Sequence, residues 1–169
     1  MAMGTKRVGL ARVEKLIENL KRELSLNGTQ FVGMKRGVKH ITTSSGGSDT
    51  LTAADSGKII FVDGTVSGDH TVSLPSPAGN DGLEYIIILK ADNHSGTKVL
   101  VDSTLTSGIK GLLKVLATDM EDGASVLNHA HRILGFGTSS KLGSTIHLVS
   151  DGNFYHVVEA VSSNAFVTS

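Results

Sequence analysis

The 169-residue chain has no cysteine, no tryptophan and two prolines. Without cysteine there is no disulfide framework, thiolate-bound zinc, iron–sulfur cluster or thiol nucleophile. Such a chain suits maturation in a reducing compartment. Aromatic residues make up 4% of the sequence, too few for a platform that stacks successive bases. No apolar run approaches the roughly 18 residues of a membrane-spanning helix. Met1–Arg7 lacks the apolar stretch of a secretory signal, so an intracellularly made, soluble protein is expected. The length suits one domain with a single core, with or without an appendage.

Net charge is also lacking, at +0, but this zero conceals a division. Residues 1–40 hold nine Lys or Arg and three Glu, a balance of +6. Residues 41–169 hold seven basic and thirteen acidic residues, a balance of −6. Opposite signs at the two ends suggest two functional regions. A basic end suits phosphate or an acidic protein surface. The plainer alternative is an ordinary Lys/Glu-rich helix surface.

Within the basic end, Leu10, Val13, Ile17, Leu20 and Leu24 recur at alternating spacings of three and four. This is a heptad seam, and it predicts a basic amphipathic helix over about residues 7–26, stopped by Asn27-Gly28. So short a helix is marginal alone in water and must pack on something: sister helices, its own domain or a partner. Residues 27–50 then read as an extended arm closing in a Ser/Gly-rich hinge, the alternative being a disordered linker. Phe31, Lys35, Arg36 and Lys39 are its candidate docking residues.

From Leu51 to Ser169 the pattern is all-β. His70–Leu74 alternates with period two, and Leu83–Leu89 is a dense apolar run of the kind a central strand carries. Thr145–Val149 and Phe154–Val158 flank Asp151-Gly152-Asn153 as a hairpin. The stretches Leu112–Met120 and Val126–Leu134 read as further strands. About eight short strands between Gly-rich turns predict a mainly β protein, with an antiparallel β-sandwich, jelly-roll-like or barrel domain after the N-terminal helix.

Motifs for chemistry are sparse. There is no Walker-type phosphate loop and no Gly-x-Ser-x-Gly elbow, and Gly135-Phe136-Gly137 lacks the last glycine of a dinucleotide fingerprint. Ser, His and Asp are plentiful, but a triad is recognised by geometry rather than by count. No catalytic residue and no cofactor is therefore assigned. Asp119, Glu121 and Asp122 cluster without the Gly and terminal Glu of a calcium loop. Lys6, Arg7, Arg12, Lys35, Arg36 and Lys39 lack any nucleic-acid reading motif. The best ligand-like feature is His129-Ala130-His131. In a strand its two imidazoles point to one face, and imidazole suits zinc, nickel or iron. The alternative is a pair of histidines with ordinary hydrogen-bond partners.

Leu51–Lys58 followed by an apolar strand, then Val72-Ser73-Leu74-Pro75, Pro77-Ala78-Gly79 and Leu83-Glu84-Tyr85, resembles the β domains of tailed-bacteriophage virion proteins. Such domains occur in capsid decoration (cement) proteins and in fibre-like appendages. The closing Ile146–Val157 resembles their final hairpin, with Tyr155 where the group often has Trp. The resemblance spans about residues 51–160 and implies a homotrimeric, non-enzymatic component on the capsid surface of a virion, made in the bacterial cytoplasm. Its implied partner is the major capsid protein, whose neighbouring capsomers it would clamp. The alternative is a tail, neck or fibre appendage binding a receptor or carbohydrate. No membrane partner is expected, and direct nucleic-acid binding is not favoured.

Overall fold

The fold is taken from a computed structural model describing residues 9–23, 26–27, 30–31, 36–65, 67–115, 125–164 and 166–169. The chain divides into two compact units, Met1–Lys35 and Arg36–Ser169. The first unit holds α1 (Leu10–Glu23) and a two-residue ladder of β1 (Leu26–Asn27) with β2 (Gln30–Phe31).

The second unit is mainly β. Its strands are β3 (Val38–Thr42), β4 (Ser48–Thr50), β5 (Ile59–Asp63), β6 (His70–Ser73), β7 (Glu84–Leu89), β8 (Val99–Asp102), β9 (Ile109–Val115), β10 (Ser125–His131), β11 (Ile133–Phe136), β12 (Thr145–Ser150), β13 (Tyr155–Ser162) and β14 (Phe166–Thr168). They form two sheets, one ordered β10-β9-β13-β12-β7-β5-β3 and the other β14-β11-β8-β6-β4.

Both sheets are mixed, which corrects the antiparallel expectation. From β3 to β8 the chain crosses from one sheet to the other at every strand. Each new strand lies parallel to the one before it in the same sheet: β3 beside β5, β5 beside β7, β4 beside β6 and β6 beside β8. The later strands reverse and add antiparallel ladders, among them the expected β12–β13 hairpin. Its turn is tied by Asp151, whose Oδ1 accepts the Asn153 and Phe154 N–H groups at 2.8 and 2.7 Å.

Residues 38–50, expected in the arm and hinge, are instead the opening strands of this winding. Ile41 is 2% exposed and belongs to the core, so the compact body starts at Arg36 rather than at Leu51. The arm pattern misled because Lys39 and His40 interrupt the apolar residues of β3.

The core is one cluster drawn from both sheets. Ile60, Val62, Tyr85, Ile87, Leu89, Ile146 and Leu148 come from the larger sheet; Val72, Val99, Val101, Leu134 and Phe136 come from the smaller. Tyr85 and Tyr155 are fully buried, and their hydroxyls donate to the carbonyls of Thr52 and Pro75, each at 2.9 Å. Burial without a partner would cost each hydroxyl about 1–3 kcal/mol. Burial also raises both phenol pKa values, that of Tyr85 to about 12. Gly135 lets β11 lie against β8, since a Cβ there would stand 2.6 Å from the Val99 carbonyl oxygen.

Candidate functional site

The outer face of the larger sheet follows from strand register. Val38, Ile59, Ile86 and His147 stand in one row across β3, β5, β7 and β12. His40, Phe61, Ile88 and Thr145 stand in the next. In β7 the core takes Tyr85, Ile87 and Leu89, leaving Ile86 and Ile88 half-buried on the opposite face. His40 stacks on Phe61 with ring centroids 5.5 Å apart.

This face continues to β13 and β9. Val157 pairs with Gly111 and Val161 with Lys114, so β13 carries one residue more than β9 over that stretch. The bulge turns Val158 outward. Leu112, Lys114, Val158, Glu159 and Val161 line a groove of ≈ 270 Å³. Leu112 and Val158 are 62% and 58% exposed.

At the far edge is the His-x-His pair. Among the described residues, β10 pairs only with β9, His129 opposite Gly111 and His131 opposite Ile109. Gly111 has φ +148°, and a Cβ on it would stand 2.6 Å from Val157 Cβ. His129 is 1% exposed and His131 is exposed; their ring centroids lie 5.2 Å apart. Among the described residues, neither ring nitrogen of His129 has a hydrogen-bond partner. Burial, and then the neighbouring His131, lowers its pKa from 6.5 to about 4, so the ring is neutral at pH 7. Beyond this pair, Arg132 donates to Asp102 from Nε and Nη2, both at 2.7 Å, and pins the corner where β10 gives way to β11. That contact holds the Asp102 carboxyl below the usual range.

Of the docking residues proposed from sequence, the structure describes the side chains of Arg36 and Lys39. Lys39 reaches Asp55 at 2.8 Å, as does Lys58, and Asp55 is 6% exposed. Lys39 first, then Lys58, hold this carboxyl far below the ordinary range. Lys39 is therefore a counter-ion to a buried carboxylate within its own domain. Arg36 is 47% exposed at its side chain and reaches Glu84 at 3.3 Å. Lys35, Leu24 and the side chains of Phe31 and Leu20 lie outside the described residues. Of the seam, Leu10, Val13 and Ile17 are 77%, 39% and 52% exposed. Asp119, Glu121 and Asp122 also lie outside the described residues.

One Ser/His/Asp grouping does occur. His70 Nε2 lies 2.9 Å from Asp49 Oδ2, but its Nδ1 faces the Ser44 backbone N–H at 3.4 Å. That nitrogen accepts from the main chain and is not placed to take a proton from a serine hydroxyl. Among the described residues, no three His, Asp or Glu side chains gather closely enough to hold a metal, and no helix is long and apolar enough to cross a membrane. Sequence reasoning missed the outer apolar face, although the unbroken apolar run of β7 was its signal: a strand apolar on both sides is ordinarily covered on both.

A scan of protein-family models matched none to this chain, and a search of curated proteins found no match.

Proposed function

We propose that this protein is a non-enzymatic structural component of a tailed-phage virion. In this reading it decorates the capsid and stabilises it by clamping neighbouring capsomers, as a homotrimer. Its two sheets and shared core form a β-sandwich, with the N-terminal helix and basic segment as additional contacts. The carrying observation is the apolar outer face of the larger sheet. Ile59, Phe61, Ile86 and Ile88 stand half-buried there, with exposed Val38, Leu112 and Val158 on the same sheet. Apolar side chains grouped on the outer face of a sheet suit a protein–protein contact. The +6 balance of residues 1–40 suits an acidic shell, and an oligomer gains avidity on a lattice of equivalent sites.

Light scattering on the full chain and antibody labelling of virions containing it test this reading. A mass three times the 17.7 kDa chain, with label spread over the capsid, is the expected result. A monomer that does not bind shells overturns it. Label confined to the tail replaces it with the appendage reading. Both tyrosines are buried, so neither offers its ring to a sugar.

A further inference from the structure

We propose that His129 and His131 bind a divalent transition-metal ion of the zinc, nickel or copper kind at the β10 edge of the larger sheet. This site is separate from the apolar face and does not depend on the proposed role in a virion.

The geometry begins with the strand. Residues two apart share a face, and Ala130 between them points the other way. A metal–nitrogen bond of about 2.05 Å puts each imidazole centroid about 3.2 Å from the ion, and a tetrahedral angle then separates two centroids by about 5.2 Å. The observed separation is 5.2 Å, with the rings tilted by 56°. The centroid separation therefore matches that of two imidazoles on one ion.

The second observation is the state of His129. Buried polar groups nearly always have a hydrogen-bond partner, yet both of its ring nitrogens are buried and find none among the described residues. Other histidines of the body are engaged. His70 meets Asp49 at 2.9 Å, His147 meets Glu84 at 2.8 Å, and His156 meets Asp151 at 2.7 Å. His94 meets the Ser95 carbonyl at 2.8 Å, and His40 stacks on Phe61. An ion would supply the missing partner for His129, and the exposed His131 gives it access.

The donor chemistry selects the ion. Two imidazoles suit zinc, nickel and copper, whereas calcium and magnesium take oxygen ligands. Water completes the coordination, so binding is weaker than at a four-ligand structural site.

Titrating the full chain with NiCl2 by calorimetry, and with CuCl2 by electron paramagnetic resonance, tests the proposal. The expected result is one ion per chain, with hyperfine coupling to two imidazole nitrogens. His131→Ala, at an exposed position, weakens binding at least tenfold and removes one nitrogen coupling. His129→Leu, an apolar replacement in a buried place, also weakens it, whereas His156→Ala leaves it unchanged. Absence of binding, or binding that survives His131→Ala, overturns the proposal. If His129→Leu does not fold, the His131→Ala comparison still decides.

Discussion

A buried imidazole without a partner makes stability depend on pH. Folded His129 stays neutral down to about pH 4, whereas its unfolded counterpart takes a proton near 6.5. Its contribution is complete above pH 6.5, is lost as the pH falls toward 4, and levels off below that. Within the window the loss is on the order of 1.4 kcal/mol per pH unit. Urea unfolding at a series of pH values should therefore show a steeper acid limb for the parent chain than for His129→Leu. Equal limbs would mean that the ring is solvated. A second residue prediction concerns Asp55. Lys39→Ala removes one of its two ammonium partners and should cost about 1–3 kcal/mol by chemical denaturation, with Lys58 retaining the remainder. A cost near zero would mean that Lys58 alone suffices to hold Asp55. The histidine pair and its shared face were legible from the spacing of two. The Lys39–Asp55 contact was not, because it joins β3 to a turn distant in sequence.

Elements carry the next set of constraints. Close approach of β11 to β8 requires Gly135, whose missing side chain leaves room for the Val99 carbonyl and Leu100 Cα. Gly135→Val should lower the melting temperature by many degrees, since overpacking costs about 1–3 kcal/mol or more; an unchanged melt would show that the ladder can part without loss. On the outer face, Leu112→Lys with Val158→Lys should leave the melt nearly unchanged, because exposed substitutions stay within about 0.5 kcal/mol. The same pair should abolish self-association or shell binding, read by light scattering and co-sedimentation. Retained assembly would remove this groove from the contact. Strands β5, β6 and β7 and the β12–β13 hairpin were visible as apolar or alternating runs. Strand β3 was hidden by its polar residues, because its burial depends on β5 beside it and on the core beneath Ile41.

At the scale of the whole molecule, the boundary at Arg36 sets what can be removed. Deleting residues 1–35 should leave the cooperative unfolding of the β body intact. Deleting residues 1–50 removes β3 and β4, opens the parallel edges of β5 and β6, and takes Ile41 from the core. That truncation should unfold at much lower denaturant or not fold at all; calorimetry of the two chains makes the comparison. Equal melts would place the boundary at Leu51 after all. The amino-acid sequence by itself determined that the chain is mainly β, that charge divides it near residue 40, that Leu83–Leu89 is an interior strand and that His129 and His131 share a face. These follow from local period and composition, which neighbours in sequence settle. Tertiary structure decided which strands lie parallel, that residues 38–50 belong to the body, that Lys39 neutralises Asp55, and that one imidazole is buried while its companion is exposed. Those outcomes depend on segments far apart in the chain meeting across two sheets, and no local pattern encodes such a meeting.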